Sequence, residues 1–226
     1  GVAHLAKRVM LERAITLNNA TAVVQGFGNV GSIAAAELQA MGVTVIAVSD
    51  HTCALHRATG LDVTSLIRHV TEHGSLQGYS KELMCDPSTI LTLPCDVLVP
   101  AATERVIDAT IAEKLQCKVL AEGANGPTTP DADLVLERRQ DEIFLIPDIL
   151  CNAGGVVVSY FEWVQDLQQL FWEEEEVMRR EYQILDRAFD QMAVRAKRDK
   201  IFNRTAAMAI GVERVRAAKT TRGLFP

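Results

Sequence analysis

Gly26-Phe27-Gly28-Asn29-Val30-Gly31 lies directly after the β-prone run TAVVQ and directly before the alanine-rich stretch SIAAAELQAMG. A G-x-G-x-x-G in that setting restricts the fold more than any other feature of the chain. The first glycine permits a tight turn at a strand end, the second lets the backbone approach a pyrophosphate, and the third lets a helix pack closely on the strand. The N–H groups of the helix start then face the phosphate charge. By itself the hexapeptide is a weak signal. Here a second apolar run, VTVIAVS, ends in Asp50, 19 residues after Gly31, where a carboxylate can accept from the hydroxyls of an adenosine ribose. Gly26, Gly28, Gly31 and Asp50 therefore predict a dinucleotide site. A carboxylate accepts from a 2′-hydroxyl and repels a 2′-phosphate, so Asp50 favours NAD; His51, His56 and Arg57 follow closely and leave NADP open.

The rest of the chain fits that nucleus. Strand-like runs near 21–25, 43–48, 96–100, 117–121 and 143–146 alternate with helical patterns near 29–41, 61–73, 104–115 and 131–139. Strands such as VTVIAV and DVLVPA are continuously apolar, as expected of a parallel sheet covered on both faces. The fold class is α/β, a Rossmann-type doubly wound, mostly parallel sheet with helices on both faces. Residues 3–18 read as an amphipathic helix leading into it. After Pro147 no strand pattern appears, and helices are expected over 173–200 and 204–219. Glu173–Glu176 open the first of these and Arg195, Lys197, Arg198 and Lys200 close it, which suits the helix macrodipole. The expected division is thus a connecting helix over 1–20, a dinucleotide-binding core over 21–147 and C-terminal helices over 148–226.

Composition narrows the partners. The 226 residues carry 23 Lys and Arg against 29 Asp and Glu, a net charge of −6, which argues against a nucleic-acid footprint. Apolar runs such as Val97–Ala102 are far shorter than the ~20 residues of a membrane span, and no targeting segment is visible. Cys53, Cys85, Cys95, Cys117 and Cys151 form neither a CxxC pair nor a Cys/His cluster, so no metal site is expected. Cys117 and Cys151 flank apolar runs and read as small buried hydrophobes, which suggests a reducing compartment and a cytoplasmic protein.

The order GFGNVG, CDVLVPAA, AEGANGPTTPDAD, IPDILCNAGGVVVSYFEWVQ and RTAAMAIGVERV resembles, over nearly the whole chain, the cofactor-binding domain of glutamate dehydrogenases. These belong to the family that includes the leucine, valine and phenylalanine dehydrogenases, and SYFEWVQ followed by Trp172–Val177 resembles the glutamate branch. The resemblance implies oxidative deamination of L-glutamate to 2-oxoglutarate and ammonia, with hydride passing to a nicotinamide. It makes Gly26, Gly28, Asn29, Val30 and Gly31 the pyrophosphate turn and Asp50 the ribose position. Ala101 and Ala102 border the cofactor. Asn125 and Asn152 hold the nicotinamide carboxamide and ribose, a task an Asn amide suits because it both donates and accepts. Ser159 reaches the side-chain carboxylate of glutamate.

In that family the catalytic lysine and aspartate belong to a separate N-terminal substrate domain, whose sequence blocks are absent here. No catalytic residue is therefore expected in these 226 residues, and the start at Gly1 reads as a cut within a two-domain enzyme that assembles as a homo-hexamer. There are departures. HTCALHRATGLDV lacks the family's Gly-rich pattern after Asp50, Cys151 replaces a small residue, and Thr103-Glu104-Arg105 replaces Leu-Glu-Asn. They motivate an alternative, a non-catalytic nucleotide-binding regulatory subunit; a branched-chain or aromatic amino-acid dehydrogenase is another.

Overall fold

In the computed structural model, which describes residues 1–223, the five apolar runs become strands and two short strands join them, making seven. They are β1 (Thr21–Gln25), β2 (Thr44–Ser49), β3 (Ala54–His56), β4 (Met84–Cys85), β5 (Cys95–Pro100), β6 (Cys117–Ala121) and β7 (Phe144–Ile146). One sheet joins them in the order β4-β3-β2-β1-β5-β6-β7. β2, β1, β5, β6 and β7 are mutually parallel, whereas β3 pairs antiparallel with β2 and with β4. Val97, Leu98, Val99, Val119 and Leu120 are wholly inaccessible to water, as expected of central strands buried on both faces.

Connection chirality places the helices. The chain steps from β1 to β2 in one direction and from β5 through β6 to β7 in the other. Right-handed crossovers then put α2 (Asn29–Ala40) on one face and α4 (Ala109–Lys114) with α5 (Pro130–Arg138) on the opposite face. α1 (Val2–Glu12) packs on α2, β6 and β7 and buries Leu5, Ala6, Val9 and Met10; α3 (Val63–His73) also packs on α2. This is the doubly wound arrangement expected. The strand order reverses between β1 and β5, and ligands of such sheets bind beyond the carboxyl ends of the strands at that point.

Helix ends follow the capping residues. Asp62 accepts from Ser65 N at the start of α3, which Gly74 closes in the left-handed region (φ 80°). Asp108 caps α4 through Ile111 N, and Thr129 precedes Pro130 at the start of α5. At the amino ends of the strands, Asp96 accepts from Thr21 N (2.9 Å), Thr21 Oγ1 (3.1 Å) and Lys118 Nζ (2.8 Å), tying β1, β5 and β6 in register. Desolvation raises its pKa, but those hydrogen bonds outweigh it and hold the carboxyl below its ordinary 3.8.

Two expected helices come out shorter. The first ends at Glu12 rather than 18, because Ala14 turns into the left-handed region (φ 56°) and a separate 3-10 turn forms at Leu17–Asn19. Between 104 and 108 no helix forms. Arg105 N donates to Gly126 O (2.8 Å) and Ile107 N to Pro127 O (2.9 Å), so long-range backbone pairing overrides local propensity there. β3 and β4 have three and two residues, too few to show a period in the sequence.

The residues form two compact units, Gly1–Asn152 and Ala153 onward. The second consists of α7 (Gly154–Gln168), α8 (Glu174–Asp199) and α9 (Asn203–Arg222), which follow the four-residue α6 (Asp148–Cys151). Leu185, Phe189 and Met192 on α8 are buried, and Arg195 bridges to Glu213 on α9 with two bonds of 3.0 and 2.8 Å. Glu174–Glu176 occupy the first turn of α8 and Lys197 and Arg198 the last. Among the described residues no helix is long and apolar enough to cross a membrane.

Candidate functional site

Within the first unit the loops after β1, β5 and β6 converge at the carboxyl edge of the sheet. The three motif glycines are required for three different reasons. Gly26 has φ 96°, and a Cβ there would lie 2.6 Å from Ala102 N and 2.7 Å from the Ala101 carbonyl carbon, so the turn presses against the β5 loop. Ala101 N donates to Gln25 O at 2.6 Å, fastening that approach. A Cβ on Gly31 would fall 1.7 Å from Gly26 O, so α2 sits directly on the turn. Gly28 is the N-cap of α2 with no side-chain cap, and a Cβ there would meet nothing within 4 Å. Packing explains Gly26 and Gly31. Packing does not require Gly28, a favoured N-cap residue that leaves open space next to first-turn N–H groups that can receive an anion. Asn29 and Val30 are exposed beside it, and a Cβ on Gly123 would lie 3.3 Å from Val30 Cγ1 and 3.2 Å from Ala101 Cβ. The turn, Ala101 and the loop after β6 are thus brought together in an arrangement that fits a dinucleotide.

Asn152 Nδ2 donates to Asn125 Oδ1 at 2.6 Å, so the two asparagines expected at the nicotinamide form a pair. Behind them stands a feature that sequence reasoning missed. Glu122, fully buried at the end of β6, accepts from Thr128 Oγ1 (2.5 Å) and from Asp148 N (2.9 Å), while Asp148 Oδ2 accepts from Gly126 N (2.8 Å). The available signal was a single carboxylate closing the apolar run CKVLA.

Asp50 lies just past β2 but is heavily engaged. Its Oδ1 accepts from Thr52 N (2.7 Å), Thr52 Oγ1 (2.6 Å) and Cys53 N (3.1 Å), and its Oδ2 accepts from Leu76 N (2.6 Å). Desolvation pushes its pKa up, yet these bonds prevail and hold it below 3.8. The carboxylate is therefore ionised and anchors two loops. Oδ1 has no further lone pair to offer, whereas Oδ2 keeps one.

Cys151 is completely buried, and desolvation, followed by the Glu122 charge, pushes its thiol up; Cys117, on β6 in register with Cys95, is pushed up by burial to about 12. Neither is a thiolate nucleophile at neutral pH. No group of three or more His, Cys, Asp or Glu among the described residues is arranged to hold a metal. Ser159 is exposed on α7, in the second unit.

Residues 1–223 match the family model described as Glutamate/Leucine/Phenylalanine/Valine dehydrogenase. The chain belongs to this dehydrogenase family. Among family relatives, the glutamate dehydrogenase of Thermotoga maritima is 45% identical over 208 residues, 92% of this chain and 50% of that protein. The NADP-specific glutamate dehydrogenase A1 of Halobacterium salinarum is 44% identical over 214 residues, 93% of this chain and 50% of that one. A crystal structure of the hetero-hexameric glutamate dehydrogenase from Thermus thermophilus in its Leu-bound form superposes with a TM-score of 0.90 at 33% identity, covering 100% of this chain and 54% of that chain. The chain spans about half the length of the family members it matches.

Proposed function

We propose that this chain is the cofactor-binding half of an NAD(P)-dependent glutamate dehydrogenase that converts L-glutamate and water to 2-oxoglutarate and ammonia. The carrying observation is the open space at Gly28, beside a turn whose other two glycines are filled by packing. A bound nicotinamide supplies the hydride acceptor; the residues of this chain bind and orient it. The turn Gly26–Gly31 receives the pyrophosphate on backbone N–H groups, and the free lone pair of Asp50 Oδ2 accepts from the ribose. Ala101 and Ala102 border the ligand. The Asn125–Asn152 pair is aimed at the carboxamide and nicotinamide ribose. NAD is the favoured ligand because of the Asp50 charge, and the NADP-specific relative keeps NADP in view.

Ser159 is assigned to the glutamate side-chain carboxylate. Ser159→Ala in the full-length enzyme is expected to raise KM for glutamate about 10-fold, one lost charge-assisted hydrogen bond, while KM for the dinucleotide holds. An unchanged glutamate KM would favour a branched-chain or aromatic amino-acid dehydrogenase.

The proposal places the proton-transfer residues in an N-terminal substrate domain, its partner in a homo-hexameric enzyme. The purified 226-residue chain is accordingly expected to quench or enhance NADH fluorescence on titration yet show no glutamate oxidation. Turnover by the chain alone would refute that division, and failure to bind NADH or NADPH would refute the cofactor role. A second reading, a regulatory nucleotide-binding subunit, gains support from the hetero-hexameric relative and from Cys151. It would be recognised by full-length protein that binds the dinucleotide and turns nothing over.

A further inference from the structure

We propose that Glu122 is a positioning residue for the nicotinamide end of the site, holding Asn125 and Asn152 in register from beneath through a closed ring of hydrogen bonds. The proposal rests on the dinucleotide-binding function proposed above, and its geometry is independent of it. The ring has three segments. Thr128 Oγ1 donates to Glu122 Oε1, and Asp148 N donates to Glu122 Oε2. Asp148 Oδ2 takes the N–H of Gly126, returning to the loop that Thr128 ends. Asn125 precedes Gly126 in that loop. Asn152 sits one helical turn beyond Asp148, its N–H donating to Asp148 O at 3.1 Å. Fixing Gly126, Thr128 and Asp148 therefore fixes both asparagine backbones, and their side chains meet at 2.6 Å as the result.

A carboxylate suits this place by its geometry. Its two partners in the ring are donors, an O–H and an N–H, from segments 20 residues apart in sequence. A carboxylate is acceptor-only and offers one oxygen to each. Glu122 is fully buried, so its removal takes away the buried acceptor that the Asp148 N–H and the Thr128 hydroxyl both use. Glu122 directly follows β6, and its N–H donates to Ile146 O on β7, which ties its place to the end of the sheet.

A ligand lacking the nicotinamide separates this role from plain stabilisation. In the full-length protein, Glu122→Ala is expected to weaken NADH about 10-fold or more while leaving ADP-ribose within ~2-fold, because the adenosine and pyrophosphate contacts lie on β1, β2 and α2. Glu122→Gln should restore NADH affinity to within ~3-fold: its Oε1 still accepts the Asp148 N–H, and the Thr128 hydroxyl can rotate to accept from Nε2. Should Glu122→Ala fail to fold, Thr128→Val removes one donor at little change in volume and should show the same selective loss. Equal weakening of NADH and ADP-ribose, or no weakening of either, would overturn the positioning role. Wild-type protein that binds neither ligand would instead overturn the dinucleotide reading on which it rests.

Discussion

Gly31→Ala is expected to leave little protein that is both folded and able to bind a dinucleotide, whereas Gly28→Ala should fold well and bind poorly. A Cβ on Gly31 would lie 1.7 Å from Gly26 O, 2.9 Å from Gly26 C and 3.2 Å from Val24 Cγ1. The first two are backbone atoms with no room to retreat. Gly26 N is bonded to Ser49 O at 2.8 Å, and the space on the other side of Gly26 is filled by Ala101 and Ala102. Either α2 lifts off the sheet or the turn opens. Overpacking of this kind costs about 3 kcal/mol or more, a large share of the ~5–15 kcal/mol that holds a domain together. The melting temperature should fall by roughly 6–12 °C. At Gly28 the backbone is extended at φ −88°, a region open to any residue, so alanine there gives up only a good N-cap glycine, about 1 kcal/mol. Its methyl group would stand where the pyrophosphate approaches, and NADH affinity should fall ~10-fold or more. Thermal melts beside fluorescence titrations read both effects. Unchanged NADH binding by Gly28→Ala would mean that the open space at that residue is not a phosphate site.

The contrast between the two glycines also shows what a sequence discloses and what it withholds. The strand–turn–helix context of GFGNVG was legible because it depends on local periodicity, and the five parallel strands were legible because burial on both faces makes them continuously apolar. β3 and β4 were not, since strands of three and two residues carry no period and form only through antiparallel pairing, β3 with β2 and β4 with β3. The late start of the predicted helix, at Ala109 rather than 104, depends on backbone contacts to residues 126–129, which no local pattern encodes. The site divides in the same way. Asn125 and Asn152 stood out from their motifs, but their pairing is a matter of tertiary placement, and Glu122 was hidden because nothing local shows that a carboxylate after CKVLA is wholly buried. Asp50 was visible at the right spacing, while its four hydrogen bonds were not.

Those bonds change what Asp50→Asn should do. With the carboxylate, Oδ1 meets the N–H groups of Thr52 and Cys53 and the Thr52 hydroxyl, and Oδ2 meets Leu76 N at 2.6 Å. An amide offers one oxygen. In one orientation its NH2 opposes Leu76 N, and in the other it opposes Thr52 N and Cys53 N, so one donor always faces a donor. The expected cost is about 2 kcal/mol, or roughly 4–8 °C in melting temperature near neutral pH. The pH dependence follows from the depressed folded-state pKa. Because the carboxyl titrates below 3.8 in the folded protein, its contribution is complete above the unfolded value near 4 and is lost as pH falls through the folded one. A protonated Asp50 has the same shortage of acceptors as Asn. The stability gap between wild type and variant should therefore close as pH drops from about 5 toward 3. Cofactor choice supplies a separate readout: the variant loses the charge that repels a 2′-phosphate, so the NADH-over-NADPH affinity ratio should fall about 10-fold. A variant that melts early but keeps the wild-type ratio would make Asp50 a loop anchor alone, and cofactor choice would then rest with the residues that follow it, His51, His56 and Arg57.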